Sequence, residues 1–368
     1  MKPNNKVLSI ALSLFASFDA SSGHGVGGST KKLAGPELKH WPRKDAEAID
    51  RMIARNAHSG RYACFDMDNT SYQFDIEESL LPYLDNKGIL TRETMDPTLK
   101  LVPFKDTANH TESLYSYYSR LCEIDDLVCY PWVAQVFSGI PLRELKGYVD
   151  EVMALNGTIP TTYYDGDEVV SYEVSPPKVF AGQVELYNRL TNNGIKVYVV
   201  SAASEEIVRM IASDPKYGYN IKPENVIGVT VLMKLASTDA SIETLTTSRK
   251  QIAEGTYNET ANLDMVMTPY LWTPATWMSG KWAAILTYID EWNKPVLVAG
   301  DTPDSDGPML FHGVDVARGG IHLWVNRKAS YMTQIQEMIQ THAKGQRKEG
   351  VAVTADKNWV VVKPADIL

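Results

Sequence analysis

Two aspartates, Asp66 and Asp68, directly follow a short apolar run in the sequence Asp-Met-Asp-Asn-Thr. Side chains two residues apart on an extended chain point to the same side, so both carboxylates face one spot. Carboxylates this close repel each other unless a cation lies between them or one is protonated. A bound Mg2+ could neutralise a phosphate group, and a protonated carboxyl could act as a general acid. A solvated acidic turn would use the same residues, so this pair alone is weak evidence.

Polar residues also end or follow other apolar segments. Ser201 ends one predicted strand, Asp301 follows another, and Lys281 opens an amphipathic helix. Because strand ends in α/β sheets meet at one edge, we expect these groups to share a crevice. Asp304 and Asp306 are both candidates for a supporting acid, and their spacing does not separate them. Each could instead be a turn residue.

The surrounding chain alternates between short apolar runs and amphipathic stretches. The apolar runs predict strands and the amphipathic stretches predict helices. Predicted strands span 61–65, 195–200, 226–229, 295–299, 321–325 and 359–362, and predicted helices span 43–57, 181–192 and 204–213. This alternation predicts an α/β fold with a mainly parallel sheet and helices on both faces.

The chain between the first two predicted strands is far longer than a simple crossover requires. We therefore expect an inserted, mainly helical cap over residues 72–180. Its predicted elements are helices over 76–84, 111–121 and 142–155 and a hairpin over 161–174. The core would comprise 41–71 and 181–345, and a C-terminal segment would span 346–368.

The N-terminus has the pattern of a secretory signal. Lys2 and Lys6 flank the start of an apolar run over 7–18 that is too short to cross a bilayer. Residues 1–20 are therefore predicted to be a signal peptide, and the Gly- and Ser-rich residues 21–40 a flexible leader. We expect a secreted or periplasmic protein with no membrane contact after cleavage.

The formal net charge of -9 over 368 residues bears on the partners. An acidic chain argues against nucleic acid or an anionic membrane and favours a small-molecule substrate. A bridge between Cys122 and Cys129 is plausible in an oxidising compartment, and Cys64 is expected to be buried. The sequence indicates no oligomeric state.

The polar groups form four motifs in one order along the chain. The motifs are Asp66-x-Asp68-x-Thr70, Ser201, Lys281, and Gly300-Asp301 with the acids that follow. This order resembles the haloacid dehalogenase superfamily over about residues 60–330. The first motif and the acidic run 300–306 are most similar to those of phosphorylcholine phosphatases, relatives of the phosphoserine phosphatases.

The resemblance implies a Rossmann-like core, an inserted cap and Mg2+-dependent hydrolysis of a small phosphomonoester. Asp66 would attack phosphorus and form an aspartyl-phosphate. Asp68 would protonate the leaving alkoxide and later activate water. The groups that would bind phosphoryl oxygens are Thr70, Ser201 and Lys281. The metal would take oxygens from Asp66, the carbonyl of Asp68 and Asp301.

The leaving group is expected to be cationic or zwitterionic, as in phosphocholine. Glu77 and Glu78 follow the nucleophile loop, where a carboxylate could attract such a head group. Glu77 lies on the same helical face as Leu80 and Leu84, so its position on the helix favours it as the glutamate that points inward. The resemblance favours Glu78 instead. Glu78 could instead form a capping box with Asp75. Both remain candidates.

Other functions would use parts of the same pattern. A haloalkanoate dehalogenase would attack carbon without metal and would lack Asp68. A binding protein would hold a phosphorylated ligand without turnover. A phosphotransferase or mutase would pass the phosphoryl group to an acceptor other than water. A phosphoserine-type or broad-specificity phosphatase would differ only in its leaving group.

Overall fold

The computed structural model describes residues 33–235 and 245–368. The predicted signal peptide, 1–20, and the leader as far as residue 32 lie outside the described residues. The last part of the predicted leader, 33–40, is held against the core. There Leu38 is buried, and Ala34 forms two backbone hydrogen bonds with the amide side chain of Asn193.

The strands of the described chain belong to one large sheet and two small ones. They are β1 Tyr62–Phe65, β2 Tyr72–Gln73, β3 Ile159–Asp165, β4 Glu168–Val174, β5 Lys178–Val179, β6 Lys196–Ser204, β7 Val226–Leu235, β8 Met265–Trp272, β9 Leu297–Gly300, β10 Ile321–Val325 and β11 Trp359–Val362. The central strands β1, β9 and β10 are buried at every residue, which explains why they read as continuous apolar runs.

The large sheet has seven strands in the order β11-β10-β9-β1-β6-β7-β8. Its neighbouring strands are parallel except for β8, which pairs antiparallel with β7. This confirms the predicted fold class, and β11 completes the edge of the sheet as the strand predicted at 359–362. Strand β8 was not predicted, because Pro269 interrupts its sequence pattern.

Strand β1 lies at the point where the strand order reverses. The chain passes from β1 to β6 and β7 on one side, and later to β9, β10 and β11 on the other. Connections that diverge in this way leave a crevice at the carboxyl ends of the two central strands, where open α/β sheets bind ligands. The order of strands therefore locates the site between β1 and β9.

Helices flank the sheet and form much of the inserted segment. They are α1 Arg43–Asn56, α2 Ile76–Asn86, α3 Leu114–Ile124, α4 Asp126–Gln135, α5 Leu142–Met153, α6 Ala181–Asn192, α7 Glu205–Ala212, α8 Ser248–Glu254, α9 Glu259–Asn262, α10 Ser279–Tyr288, α11 Pro303–Gly313, α12 Ala329–Lys348 and α13 Pro364–Ile367. Helix α1 is amphipathic and buries Ile49, Met52 and Ile53. Among the residues that the structure describes, none of these helices is long and apolar enough to cross a membrane.

The segment 72–180 contains α2 to α5 and the antiparallel hairpin β3–β4, in agreement with the predicted helices and hairpin. The helix predicted from residue 111 begins at Leu114, because the Ser113 side chain caps it by accepting a hydrogen bond from the N–H of Ser116. Helix α4 was not predicted, since it is apolar around its circumference and contains Pro131.

The cysteines are arranged as the sequence suggested. A disulfide joins Cys122 at the end of α3 to Cys129 in α4, and Cys64 is a buried free thiol in β1. The disulfide links two helices that each contribute side chains to the crevice, Tyr118 from α3 and Tyr130 from α4.

Candidate active site

The predicted acids converge at the carboxyl edge of the central strands. Asp66 follows β1, Asp301 follows β9, and both are buried. Lys281, in the first turn of α10, is also buried and reaches this edge from the side. A lysine is rarely buried unless its charge is paired, and here the carboxylates supply that pairing.

Lys281 connects two aspartates. Its Nζ lies 2.6 Å from Oδ1 of Asp66 and 2.7 Å from Oδ1 of Asp306. The other oxygen of Asp306 accepts hydrogen bonds from the backbone N–H groups of Asp301 and Thr302, at 2.8 and 2.9 Å. With both oxygens engaged, Asp306 holds the Asp301 loop and Lys281 in place.

The two candidates for the supporting acid occupy different positions. Asp306 is fully buried on the inner side of α11, and the Cβ that a larger residue would add at Gly300 would lie 2.5 Å from its own Cβ. Asp304 is exposed on the outer side of the same helix and lines a surface cavity with Asp125 and Asp126. The structure therefore brings Asp306 into the cluster and leaves Asp304 outside it.

Thr70 bridges the first and last motifs. Its Oγ1 donates to Oδ1 of Asp301 at 3.0 Å and lies 3.5 Å from Oδ2 of Asp66. The loop reaches this position through a left-handed turn at Asn69, with φ of 58°, a conformation that asparagine tolerates better than most residues. The hydroxyl of Thr70 thus lies between the two carboxylates and is hydrogen-bonded to Asp301.

Asp68 lines the same crevice as Asp66 and is held independently. Its Oδ1 accepts hydrogen bonds from the Tyr72 hydroxyl at 2.7 Å and from the backbone N–H of Ile76 at 2.9 Å. Both donors form hydrogen bonds to the same oxygen of the carboxyl group. The chain thereby holds Asp68 at the wall of the crevice without using the cluster around Lys281.

The Ser201 side chain is turned toward its own loop. The hydroxyl is buried and accepts a hydrogen bond from the N–H of Ala203 at 3.2 Å. At this strand end, Ala202 and Ala203 line the crevice. Ser201 therefore lies at the expected strand end but is bonded locally in this conformation.

The two glutamates differ in what they bind. Glu77 is buried, and its Oε1 accepts a hydrogen bond from the backbone N–H of Ser204 at 2.8 Å. Glu78 is partly exposed, and its backbone N–H donates to the capping carboxylate of Asp75 at 2.9 Å. Both side chains line the crevice, and Glu78 also borders an adjoining cavity of about 370 Å3.

The crevice has a volume of about 230 Å3 and brings core residues and the inserted segment together. Besides the predicted acids and Lys281, its wall contains Tyr118, Tyr130, Arg327 and Lys328. Sequence analysis missed Arg327 and Lys328. The signal that could have found them is their place just past the apolar run of β10, at the same edge as the other motifs.

Burial raises the pKa of most carboxyl groups at this site. The pKa of Asp66 is raised well above its ordinary value by desolvation and the nearby Asp306 carboxylate, and Lys281 opposes the rise. Desolvation and Asp75 raise the pKa of Asp68 well above its ordinary value. The same two causes raise the pKa of Glu78 to about 7.

The charges and donor atoms fit a divalent cation. The crevice wall carries six carboxylates against three cationic side chains, so an anionic phosphate needs additional positive charge to enter. One oxygen from each of Asp66, Asp301 and Asp306 lies within 4.8 Å of the others. Because both oxygens of Asp306 are bonded to Lys281 and the Asp301 loop, Asp66 and Asp301 are the carboxylates of this cluster that could bind an oxygen-liganded ion such as Mg2+.

A mainly parallel sheet brings Asp66, Lys281 and Asp301 together at its edge, which is the arrangement expected from the resemblance of the motifs to haloacid dehalogenase hydrolases. The chain is 66% identical over 331 residues to phosphorylcholine phosphatase from Pseudomonas aeruginosa, covering 90% of this chain and 93% of that relative. It belongs to the phosphorylcholine phosphatase family and is a phosphoric monoester hydrolase. Membership in this family decides against the dehalogenase and binding-protein hypotheses.

One solved structure shows the same fold in a more distant protein. A conserved protein of unknown function from Anaerococcus prevotii aligns with 92% of this chain and 97% of its own, with a TM-score of 0.56 at 18% identity. A HAD family hydrolase from Salmonella enterica serovar Typhi aligns with a TM-score of only 0.41 at 11% identity, over 74% of this chain and 65% of its own. No protein-family model matches the chain.

Proposed function

We propose that this enzyme hydrolyses phosphorylcholine to choline and inorganic phosphate through an aspartyl-phosphate on Asp66, with Mg2+ bound. The observation that carries the proposal is the Asp66 carboxylate, held 2.6 Å from the Lys281 ammonium in the crevice that Asp68 also lines. The substrate named for the relative at 66% identity supports phosphorylcholine.

In the first step a carboxylate oxygen of Asp66 bonds to phosphorus as the bond from phosphorus to the choline oxygen breaks. Only the ionised carboxylate is a nucleophile, so the burial that raises the pKa of Asp66 must be opposed. Lys281 does this by donating a charged hydrogen bond to Asp66. The same ammonium also adds positive charge close to the phosphoryl oxygens.

Asp68 supplies and removes the proton. Its burial favours the neutral carboxyl, which can donate a proton to the departing choline oxygen. The carboxylate left behind then takes a proton from the water that attacks the phosphorus of the aspartyl-phosphate. That attack breaks the bond to Asp66, releases phosphate and restores both side chains.

The metal would be held by Asp66, Asp301 and the backbone carbonyl of Asp68. When bound, Mg2+ would supply positive charge that neutralises the phosphoryl oxygens and makes phosphorus more electrophilic. Thr70 lies between the two carboxylates and donates its single hydroxyl hydrogen to Asp301. Asp306 holds the Asp301 loop by accepting hydrogen bonds from two of its backbone N–H groups.

The choline group would lie toward Glu78, Tyr118 and Tyr130, which line the crevice on the side of the inserted segment. A quaternary ammonium is attracted to aromatic faces and to a carboxylate. Glu77 lines the same wall, but its Oε1 is already bonded to the N–H of Ser204. Ser201 would add a hydroxyl for the phosphoryl group after a rotation of its side chain.

The direct test is phosphate release from phosphorylcholine, phosphoethanolamine, phosphoserine and p-nitrophenyl phosphate, with Mg2+ or with excess chelator. We expect Mg2+-dependent release that is fastest, by kcat/KM, with phosphorylcholine. Phosphoserine hydrolysed as fast or faster would overturn the choline assignment. Release that survives complete metal removal would overturn the role of Mg2+.

The acceptor is tested separately, because a phosphotransferase would share every feature of the first step. Released phosphate and free choline should appear in equal amounts in the presence of alcohols such as glycerol. A phosphorylated alcohol forming at the expense of free phosphate would show that transfer competes with hydrolysis.

We also propose that the protein is exported, which rests on the signal pattern over residues 1–20. The disulfide between Cys122 and Cys129 supports an oxidising compartment. Cell fractionation should recover the full-length product outside the cytoplasm and the product lacking residues 1–20 inside it. Retention of the full-length product in the cytoplasm would contradict the proposal.

A further inference from the structure

Arg327 is a basic residue of the crevice that belongs to none of the four motifs. It lies two residues past β10, which pairs with β9 so that Trp324 is opposite Gly300. This register brings Arg327 next to Asp301, the residue that follows Gly300. The side chain is largely buried, and its guanidinium carbon lies 5.0 Å from the centre of the Tyr331 ring.

The guanidinium binds one specific oxygen of Asp301. Its Nε donates to Oδ2 of Asp301, and its Nη2 donates to Oγ1 of Thr302 at 3.0 Å. The Thr302 hydroxyl donates to the same Oδ2 at 2.9 Å. Oδ2 therefore accepts two hydrogen bonds, both from the side of β10 and the loop after β9.

The other oxygen of Asp301 faces the opposite way. Its Oδ1 accepts from the Thr70 hydroxyl, which lies 3.5 Å from Asp66. A carboxylate tied at one oxygen by a planar guanidinium can turn very little. The pairing leaves Oδ1 of Asp301 as the oxygen that faces the nucleophile.

We propose that Arg327 is a positioning residue that orients Asp301 so that a single oxygen, Oδ1, is presented to the divalent cation. The inference rests on the magnesium site of the proposed function. Arg327 would also join Lys281 in reducing the mutual repulsion of Asp66, Asp301 and Asp306, whose oxygens lie within 4.8 Å of one another. Partners that orient a metal ligand in this way change metal affinity by about 10- to 100-fold when removed.

The test is a calorimetric titration of Mg2+ into the metal-free enzyme, which measures binding without activity. We expect Arg327→Gln to raise the Kd for Mg2+ by about 10- to 100-fold. Lys328→Gln is the matched control, since Lys328 lines the same crevice and lies over the same Tyr331 ring but, within the described part of the chain, makes no hydrogen bond to Asp301. The control should change the Kd by less than about threefold, as expected for a partly exposed charge.

Arg327→Lys gives a second measurement. It keeps the charge but lacks the planar fork that reaches Asp301 and Thr302 together, so we expect weaker Mg2+ binding than in wild type. It also carries the test if Arg327→Gln does not fold, which circular dichroism in chelator would show. Wild-type Mg2+ affinity in the folded Arg327 variants would overturn the inference.

Kinetics separate positioning of the metal ligand from direct binding of substrate. For Arg327→Gln we expect the Mg2+ concentration at half-maximal rate to rise, with most of kcat recovered at saturating Mg2+. An unchanged Mg2+ requirement with a raised KM for phosphorylcholine would mean that Arg327 binds substrate, and would overturn the inference. If the wild-type enzyme itself bound no Mg2+, the result would also contradict the Mg2+ dependence in the proposed function.

Discussion

Two buried clusters of charge in this protein differ in how their carboxylates are balanced. One is the crevice around Asp66. The other, here called the Glu205 cluster, consists of Glu205, Glu206 and Arg209 of α7 and Arg249 of α8, all buried, so that two carboxylates face two guanidinium groups. Glu205 directly follows β6, and Ala202 and Ala203 near the end of the same strand line the crevice.

Every oxygen of Glu205 has a partner. Oε1 binds Arg209 and, at 2.8 Å, Arg249, while Oε2 accepts from the N–H of Gly228 at 3.2 Å and the Thr230 hydroxyl at 3.1 Å. Desolvation alone would raise the pKa of Glu205, but the two arginines outweigh it, so the net pKa is lowered. The cluster stabilises helix α7 and has no charge left to bind a ligand.

In the crevice around Asp66, by contrast, the carboxylates are not all paired with cations. Its carboxylates outnumber its cations, and the pKa values of Asp66, Asp68 and Asp301 are raised, chiefly by desolvation. The difference shows that burial of carboxylates does not by itself mark a functional site. An excess of carboxylates over cations is the more informative sign, because the buried charge costs stability unless a cation binds or the carboxyl groups take up protons.

The largest effect should come from Asp66→Asn. Removing the nucleophile should lower kcat by about ten-thousandfold or more, because the covalent step is lost. The thermal midpoint in chelator should equal or exceed that of wild type, since one of several repelling carboxylates becomes neutral. A marked loss of stability would mean that the crevice is balanced like the Glu205 cluster.

Asp68→Asn should lower kcat by about 10^2- to 10^4-fold with phosphorylcholine, because no proton reaches the choline oxygen. The loss should be much smaller with p-nitrophenyl phosphate, whose leaving group needs no proton. Burst kinetics with the two substrates measure the first step directly. Equal losses for both leaving groups would contradict the general-acid role of Asp68.

Glu205→Gln should cost about 3 kcal/mol of unfolding free energy, because Arg249 loses its paired carboxylate and Arg209 keeps only Glu206. Since the pKa of Glu205 is lowered from 4.5 in the folded protein, its stabilisation is present above about pH 4.5 and lost as pH falls further. Urea unfolding across this range should show a shallower loss of stability in the variant. Metal-saturated kcat/KM should stay within about threefold of wild type, as expected for a change outside the site.

Glu78→Gln should change the free energy of unfolding less than Glu205→Gln does, and it should stabilise the protein, not destabilise it. The pKa of Glu78 is raised from 4.5 to about 7, so its ionised form disfavours the folded state above pH 7, and that penalty disappears as pH falls toward 4.5. The metal-free variant should therefore be more stable than wild type at pH 8 by about 1 kcal/mol. The difference should shrink at pH 5.5. A variant less stable at pH 8 would contradict this charge balance.

The fold class and the first-motif acids were accessible from the sequence because they depend on local order. A buried strand such as β1 reads as an apolar run, and the residue after it, Asp66, must lie at the sheet edge. Helix α4 and strand β8 were missed, since an evenly apolar helix and a strand interrupted by Pro269 lack the period on which prediction depends.

The choice between Asp304 and Asp306 could not be made from spacing. Both follow Gly300 closely, but only the helical turn of α11 decides that Asp306 faces Lys281 and Asp304 faces outward. Arg327 was missed because its partner Asp301 is brought to it by the pairing of β9 with β10. Neither the direction in which Asp306 faces nor the pairing of Arg327 with Asp301 can be predicted from the neighbouring sequence.

The sequence by itself determined the α/β fold, the motif residues and their placement at strand and helix ends, because each depends on neighbours along the chain. Tertiary structure alone decided which oxygens face the crevice, which acids are paired by Lys281 and Arg327, and that Glu205 is balanced while the crevice is not. The reason is that charge balance is a property of groups close in space, and strand pairing brings together residues far apart in sequence.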